Sequence, residues 1–312
     1  MTRARHALTA VAALLTLLLV SACGASPPEQ DSQSGSRVIT HAMGKTTITG
    51  TPQRVVVLGT GELDAVLSLG VKPVGLVRPS SSSPLQPYLA DKVRDVPMVG
   101  TIKSPDLEKI TKLKPDLILS SKVRNAERYE TLSRIAPTVL SETVGKTWKQ
   151  NLRLAGEALG KKQQAQRILD RYQAKADSIG ARIGDPGKTE VSMVRFLSGG
   201  TIRLYGKGSF IGTILSDVGF SRPPNQRVDK TYTKISRELV SQADGDLLFH
   251  AAYGSGGKAH QEEVTRSVQW KSLSAVRDGK ASKVSDGLWY LGLGPIAANL
   301  VLDDLAERVA PK

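Results

Sequence analysis

The sequence predicts an α/β protein of two lobes, each built on a parallel-type sheet, joined by a single long helix. Three observations predict it. Short continuous apolar runs alternate with amphipathic stretches, the pattern of buried parallel strands and their crossover helices. One helical stretch, 161–183, is far longer than the rest and ends in the break "GDPGK". The strand–helix plan before that stretch recurs after it.

The elements follow in order. "RVVVLG" (54–59) is an apolar run closed by Gly and reads as a buried strand. "GELDAVLSLG" (61–70) carries Leu63, Val66 and Leu67 on one face and closes on Gly70, so it is a short helix with a Gly cap. "VKPVGLVR" (71–78) is the next strand. In "SPDLEKITKLKPDLILSS" (104–121), Ser104 is the expected cap, Pro105 takes the first helical position, and Asp106 and Glu108 suit the positive end of the helix dipole. Pro115 ends that helix, and "DLILSS" is a strand. "NAERYETLSRIAPTVL" (125–140) is a helix running into a strand, and "TWKQNLRLAGEALG" (147–160) is another helix.

In 161–183 the residues Ala165, Ile168, Leu169, Tyr172, Ala176 and Ile179 form one stripe. At 1.5 Å per residue this helix spans roughly 33 Å, long enough to act as a stiff connector. Beyond it, "TEVSMVRFL" and "GTIRLYG" read as strands joined through Gly199 and Gly200. "SFIGTILSDVGF" (209–220) is a helix. "ISRELVSQADGDLLFHA" (235–251) mirrors 107–121 as helix, break and strand. "VQWKSLSAVRDGKASKVSDGLWYLG" gives a short helix and a strand, and "GPIAANLVLDDLAERVA" (294–310) is a closing amphipathic helix. The chain thus divides into an N-terminal α/β lobe (37–160), a linker helix (161–183) and a C-terminal α/β lobe (184–312).

The amino end has a different character. Arg3 and Arg5 lead an apolar stretch from Ala7 to Val20, shorter than the roughly 20 residues a membrane span needs. A basic start, an apolar middle and small residues before a cut make 1–22 a signal peptide for export. "VSAC" resembles the lipobox of bacterial lipoproteins, in which the cysteine is linked to diacylglycerol and becomes the new amino terminus. Cys23 is the only cysteine, so no disulfide can form within the chain. An unpaired cysteine is a poor choice for export unless it is the lipid anchor. "GASPPEQDSQSGSR" has almost no apolar residues, and 23–36 reads as a flexible tether.

The formal charge is +14, which falls to +12 once Arg3 and Arg5 leave with the signal peptide. Such a charge suits an anionic ligand or cell surface. Export and the absence of a run of five or six basic residues argue against nucleic acid. Enzyme motifs are missing: there is no Gly-x-Ser-x-Gly elbow, no His-Glu-x-x-His and no phosphate-cradling loop. His41, His250 and His260 are scattered, which argues against a free-metal site.

Ligands of open parallel sheets bind beyond the carboxyl ends of the strands. That rule selects Thr60, Arg78 and the turn Ser121–Arg124, with Lys122 and Arg124, in the first lobe. In the second it selects Arg195, Phe196, Tyr253 and the pair Trp289 and Tyr290, with Arg203, Tyr205 and Tyr232 in adjoining strand ends. Arg78 and Arg203 could equally face water. Arg195 interrupts the apolar strand "MVRF", where a charge is rarely buried unpaired. One of Trp289 and Tyr290 is expected in the core, as are Trp148 and Trp270.

The lipobox at Cys23, "RVVVLGTGELDAVLSLGVKPVGL", "SPDLEKITKLKPDLIL", one long helix and "TYTKISRELVSQADGDLLF" together resemble the substrate-binding lipoproteins of iron-siderophore ABC transporters, relatives of the ferrichrome- and vitamin B12-binding proteins. The resemblance covers about residues 37–310. It implies a rigid two-lobe fold with the ligand in the cleft between the lobes, no enzymatic activity, and a monomer held on the outer face of the cytoplasmic membrane. The implied ligand is iron(III) carried within a siderophore, handed on to an ABC permease. Such a complex buries its iron in an organic shell, so the protein needs donors for iron-bound oxygens and aromatic faces rather than metal ligands. The +12 charge and the arginines allow anionic catecholate or carboxylate complexes and equally allow hydroxamates. Tyr and Trp mixed with Arg incline the reading to the hydroxamate class, ferrioxamine for instance; haem is the alternative, through Tyr253 or His250 as axial ligand, and cobalamin a weaker one. "NAERYETL" and "ISRELV" resemble the family segments whose glutamates dock to the transporter, here Glu127 and Glu238; both also fit as ordinary acids at a helix start.

Overall fold

The computed structural model describes residues 35–81 and 83–309. The predicted signal peptide, Cys23 and the tether as far as residue 34 lie outside the described residues. The body opens with a hairpin, β1 (Ser36–His41) and β2 (Gly44–Thr49), paired antiparallel from Ser36 opposite Thr49. The first sheet then builds through β3 (Val55–Val57), α1 (Thr60–Ser68), β4 (Gly75–Arg78), α2 (Pro87–Ala90), β5 (Met98–Thr101), α3 (Leu107–Lys112), β6 (Leu117–Ser121), α4 (Lys122–Asn125), α5 (Tyr129–Ile135) and β7 (Thr138–Ser141). Its five strands are all parallel, in the order β5-β4-β3-β6-β7. The continuous apolar runs at 55–57 and 117–119 are buried on both faces, which is why they carry no polar alternation.

Two helices, α6 (Trp148–Ala158) and α7 (Lys162–Ile183), lead to the second lobe. There follow β8 (Val191–Phe196), β9 (Ile202–Tyr205), α8 (Phe210–Val218), β10 (Tyr232–Ile235), β11 (Leu247–Ala252), α9 (Gly254–Thr265), α10 (Val268–Lys271), α11 (Ser274–Arg277), β12 (Ala281–Lys283), α12 (Asp286–Trp289) and α13 (Pro295–Arg308). The second sheet runs β10-β9-β8-β11-β12. It is mixed, because the Gly199–Gly200 turn makes β9 antiparallel to β8 while β11 stays parallel to it.

Each sheet has an outer core of its own. Val56, Leu58, Ile110, Ile118 and Leu132 fill one; Val194, Phe196, Leu248, Val264 and Trp270 fill the other. The inner faces share a single core, which runs from Val55 and Val57 through Trp148, Tyr172, Leu215 and Val301 to Met193 and Tyr205. Three helices are pinned together inside it. The indole N–H of Trp148 on α6 donates to Thr213 on α8 at 3.1 Å. The Tyr172 hydroxyl of α7 donates to Asp217 of α8 at 2.7 Å, and Lys149 of α6 donates to the same carboxylate at 2.6 Å. Gly180 lets α7 approach α8, since a Cβ there would lie 2.5 Å from the Val218 carbonyl oxygen. On the outside, the Arg37 guanidinium of β1 donates to the carbonyls of Glu157, Ala158 and Gly50 at 3.0, 2.6 and 2.6 Å, closing the C-terminal end of α6.

Four local expectations are corrected. The cap of α3 is Asp106, whose carboxylate accepts from the Lys109 N–H at 3.0 Å, and not Ser104. Pro105 bridges back to Gly100, which takes Ser104 and Pro105 out of the helix. The stretch 237–243 is tight 3-10 turns kinked at Leu239 rather than an α-helix. Trp289 ends a short helix rather than following a strand. The hairpin β1–β2 was not anticipated, because its strands pair only with each other and bury little beyond Ile39 and Ile48.

Burial sets one pH response. His250 on β11 lies among Phe196 and Trp270 and accepts from the Gln261 side chain at 2.7 Å. Desolvation, reinforced by Lys283, depresses its pKa to about 4 from the ordinary 6.5. A depressed folded-state pKa contributes stability that is complete above pH 6.5 and is lost as pH falls from 6.5 toward 4. Urea titrations across that window should show the wild type losing up to about 3 kcal/mol, while His250→Asn loses distinctly less. Equal losses in the two proteins would show that His250 is not responsible.

Candidate ligand-binding cleft

The carboxyl edge of the first sheet meets the second lobe along a groove. Gly61, just past β3, packs against Leu293, and Gly145, past β7, lies beside Leu293 and Phe210. Gln86 of the first lobe donates to the Leu291 carbonyl at 3.2 Å. Lys146 of the first lobe pairs with Asp229 of the second at 3.2 Å across the rim. A cavity of about 120 Å³ sits between the lobes, walled by Gly145, Tyr205, Phe210, Trp289, Tyr290 and Leu293.

Six of the residues selected from the sequence come together on the second lobe: Arg195, Arg203, Tyr205, Tyr232, Tyr253 and Tyr290. Register explains part of this. Arg195 pairs with Arg203 across β8 and β9, and Tyr205 pairs with Tyr232 across β9 and β10, so their side chains share a face. The Arg203 guanidinium lies 4.0 Å from the centre of the Tyr232 ring, a cation–π contact, and its buried Nε has no hydrogen-bond partner. Tyr205 packs edge-on against Tyr290 at 4.8 Å and against Tyr232 at 5.8 Å.

Arg195 is only 5% exposed and is fully engaged. Its fork binds Asp286 in bidentate fashion at 2.6 and 2.7 Å, and it donates to the Tyr205 hydroxyl at 3.0 Å. The Tyr253 ring covers it at 4.7 Å, with Tyr290 at 5.6 Å. Burial works against the charge on Arg195, but Asp286 and Tyr205 outweigh it and hold its pKa above the ordinary value. Arg195 therefore organises the aromatic cluster, and the half-exposed Tyr253 stands over it.

In the first lobe Arg78 is the exposed last residue of β4, and Arg124 is exposed on α4 beyond β6. Among the described residues neither makes a salt bridge. Lys122 is held by Glu142 at 2.9 Å. Thr60 and Ser121 are buried at the strand ends. The carboxyl group of Glu62 is enclosed near Arg124; burial raises its pKa, and its own N–H and Arg124 pull the other way.

Burial separates the pair Trp289 and Tyr290 and places the remaining selected aromatics and histidines. Trp289 is fully buried and donates to Asp304 at 2.7 Å, so it belongs to the core and reaches the cleft only as a cavity wall. Tyr290 is also buried; its hydroxyl lies within hydrogen-bond distance of the Val194 and Phe249 carbonyls, so it supports the cluster from beneath. Trp148 and Trp270 are core residues, as expected. His41 and His260, like His250, engage protein partners through a ring nitrogen, Thr46 and the Leu197 carbonyl respectively. Among the described residues no group of three or more His, Cys, Asp or Glu is placed to hold a metal.

Sequence reasoning missed Asp286 and Arg222. Asp286 lies just past β12, so the carboxyl-end rule that selected Trp289 and Tyr290 would have found it. Arg222 is 1% exposed and donates to the Tyr205 carbonyl and the Gln226 side chain, leaving Nε and Nη1 without partners. Burial lowers its pKa to about 10. A surface concavity of about 660 Å³ lies at the amino edge of the second sheet around Glu190, Asp244 and Asp246. Asp244 and Asp246 there are engaged by backbone N–H groups, so the concavity belongs to loop structure.

Comparison with known proteins agrees with this geometry. A probable siderophore-binding lipoprotein of Bacillus subtilis, YfiY, is 36% identical over 94% of each chain. The Fe(3+)-citrate-binding protein YfmC of the same organism is 29% identical over 96% of this chain and 95% of its own. The crystal structure of Staphylococcus aureus SirA complexed with staphyloferrin B superposes with a TM-score of 0.80 at 37% identity, covering 88% of this chain and 98% of that one. Residues 55–282 match the pattern of the periplasmic binding proteins, and with relatives of this identity and coverage the chain belongs to that family.

Proposed function

We propose that this protein captures a ferric siderophore in the cleft between its lobes and delivers it to an ABC importer. It would do so from the outer face of the cytoplasmic membrane, anchored through a lipid on Cys23. The names of the relatives support the siderophore reading, and YfiY is itself named a lipoprotein. Among the described residues no helix is long and apolar enough to cross a membrane.

The observation that carries the ligand class is the state of the cleft cations. Arg195 and Lys122 are neutralised by Asp286 and Glu142. Arg78, Arg124 and Arg203 have no salt bridge among the described residues. Arg203 on the face of Tyr232, and the exposed Arg78 and Arg124 beyond the strands of the first lobe, favour a complex of net negative charge, with carboxylate groups for the guanidinium forks and an organic body for the rings. We therefore place an anionic, carboxylate-bearing ferric complex ahead of the hydroxamate class expected from the sequence. Ferrioxamine B is cationic and gains nothing from unpaired arginines. The names Fe(3+)-citrate-binding protein and SirA with staphyloferrin B lend support. The haem reading loses His250 to the outer core and rests on Tyr253 alone.

Calorimetric titration should show saturable, sub-micromolar binding of a ferric carboxylate complex such as ferric citrate, with ferrioxamine B and haemin weak or silent. Tight ferrioxamine B binding would overturn the charge argument, and a Soret shift with haemin would favour haem. Arg203→Ala should weaken the preferred complex about tenfold, the worth of a charged hydrogen bond, whereas Lys122→Ala should change it little.

The docking glutamates are part of the same proposal. Glu127 and Glu238 are both exposed, and each follows the carboxyl edge of its own sheet, past β6 and past β10. Glu127→Ala and Glu238→Ala should each reduce iron uptake by cells while leaving calorimetric affinity unchanged. A loss of affinity in either variant would move that glutamate from docking to the ligand site.

A further inference from the structure

The strip Leu291–Gly294 joins Tyr290, in the second lobe's cluster, to α13. The first lobe holds it at Leu291, at Leu293 and at Gly294. Gln86 donates to the Leu291 carbonyl at 3.2 Å. Leu293 packs on Gly61, where a Cβ would lie 3.2 Å from its carbonyl oxygen. The strongest grip comes from Asp64 on α1, which is 0% exposed. Its carboxylate accepts from the Ile296 N–H at 2.7 Å and the Ala297 N–H at 3.1 Å. These are orphan donors of the first turn of α13, whose own cap, Gly294, has no side chain to serve them. Gly294 is required there for space, since a Cβ would lie 2.5 Å from the Asp64 carboxyl carbon. The Tyr88 hydroxyl donates to the same carboxylate.

We propose that Asp64 is a positioning residue for the ligand cleft: it touches no ligand, and by fixing the Leu291–Gly294 strip from the first lobe it sets where Tyr290, and through Tyr290 the Arg195–Tyr205 cluster, stands. The route is short and physically continuous. Asp64 holds the start of α13, the strip runs back from it to Tyr290, and the Tyr290 ring packs on both Tyr205 and Arg195.

The carboxyl group also makes the grip sensitive to pH. Desolvation raises its pKa to about 7, against the pull of the two N–H groups and Tyr88. Among the described residues Tyr88 is the titratable side chain that bonds it, and α13 meets it through the Ile296 and Ala297 N–H groups. Ionised, the group accepts both N–H bonds. Protonated, it leaves one donor facing a hydroxyl. Global stability runs the other way: a raised folded-state pKa contributes stability that is lost as pH rises through about 7. A merely structural carboxyl would therefore move the unfolding midpoint and nothing else.

The test compares the full-length protein with Asp64→Asn, a near-isosteric variant locked in the uncharged state, and with the milder Tyr88→Phe. In the ligand-free protein, intrinsic fluorescence sums Trp148, Trp270 and Trp289, and the part of its pH dependence that Asp64→Asn removes reports on the strip beside Trp289. The wild type should titrate near pH 7, Asp64→Asn should be flat, and Tyr88→Phe should titrate at higher pH because a bond favouring the ionised form is gone. The second arm rests on the ligand-cleft reading. With ferric citrate as probe, the wild type should bind about fivefold more tightly than Asp64→Asn at pH 8.5 and equally at pH 5.5; taking the ratio cancels any pH effect on the probe itself. Identical fluorescence profiles in wild type and Asp64→Asn would overturn the inference, as would an affinity ratio that does not change with pH. No ferric citrate binding by any variant would count against the proposed ligand, while the fluorescence arm still decides the role of Asp64.

Discussion

The inner core shared by the two sheets is the constraint on which the rest depends. Trp148, Tyr172 and Asp217 bind α6, α7 and α8 into one block, and the lobes are built outward from it. Hinged binding proteins close over a ligand by letting two independent cores swing. Here the apolar surface that such a swing would expose is already committed, and each large buried side chain in it is worth about 1.5–3 kcal/mol. The cleft is therefore a standing feature of the fold. Most of the ordering that binding would demand is done when the chain folds.

That rigidity explains how charge is arranged. A buried guanidinium is tolerated only where hydrogen bonds and an opposite charge are fixed in place beforehand. Arg195 has both and organises Tyr205 and Tyr253. Arg222 has two hydrogen bonds and no carboxylate, and burial weakens its basicity accordingly. Arg78 and Arg124 stay at the edge, where water stabilises their charge, and Arg124 has the enclosed Glu62 carboxyl nearby. Burial thus sorts the arginines: the most enclosed, Arg195 and Arg222, are held by fixed partners within the second lobe, and Arg78 and Arg124 keep their charge at the surface.

Much of this was legible in the sequence because strands of a parallel sheet are apolar throughout and helices carry a stripe. The run 54–59 and the stripe of 161–183 placed a buried strand and the long helix, and the carboxyl-end rule selected Arg195, Tyr253 and Tyr290 of the cluster, while Arg203, Tyr205 and Tyr232 came from the neighbouring strand ends. What stayed hidden was pairing at a distance. Nothing in "SDGLW" announces that Asp286 meets an arginine on a strand 91 residues away. Asp106 displaced Ser104 as a cap because Pro105 was already used in a bridge to Gly100, a contact that local preference does not encode. Trp289 left the cleft because a short helix, not a strand, carries it, and α13 offered Asp304 to its indole.

Arg37 has a mechanical consequence. The hairpin's open end is the pair Ser36–Thr49, so tension on the preceding chain would peel β1 from β2 one hydrogen-bonded pair at a time, the weakest way to load a ladder. The Arg37 guanidinium sits one residue inside that end and is tied to the Gly50 carbonyl and to the last turn of α6. A pull arriving at Ser36 is diverted at once into the helix that forms part of the central block. The peeling fork meets a rivet before it can start, and the strain bypasses the sheets that shape the cleft.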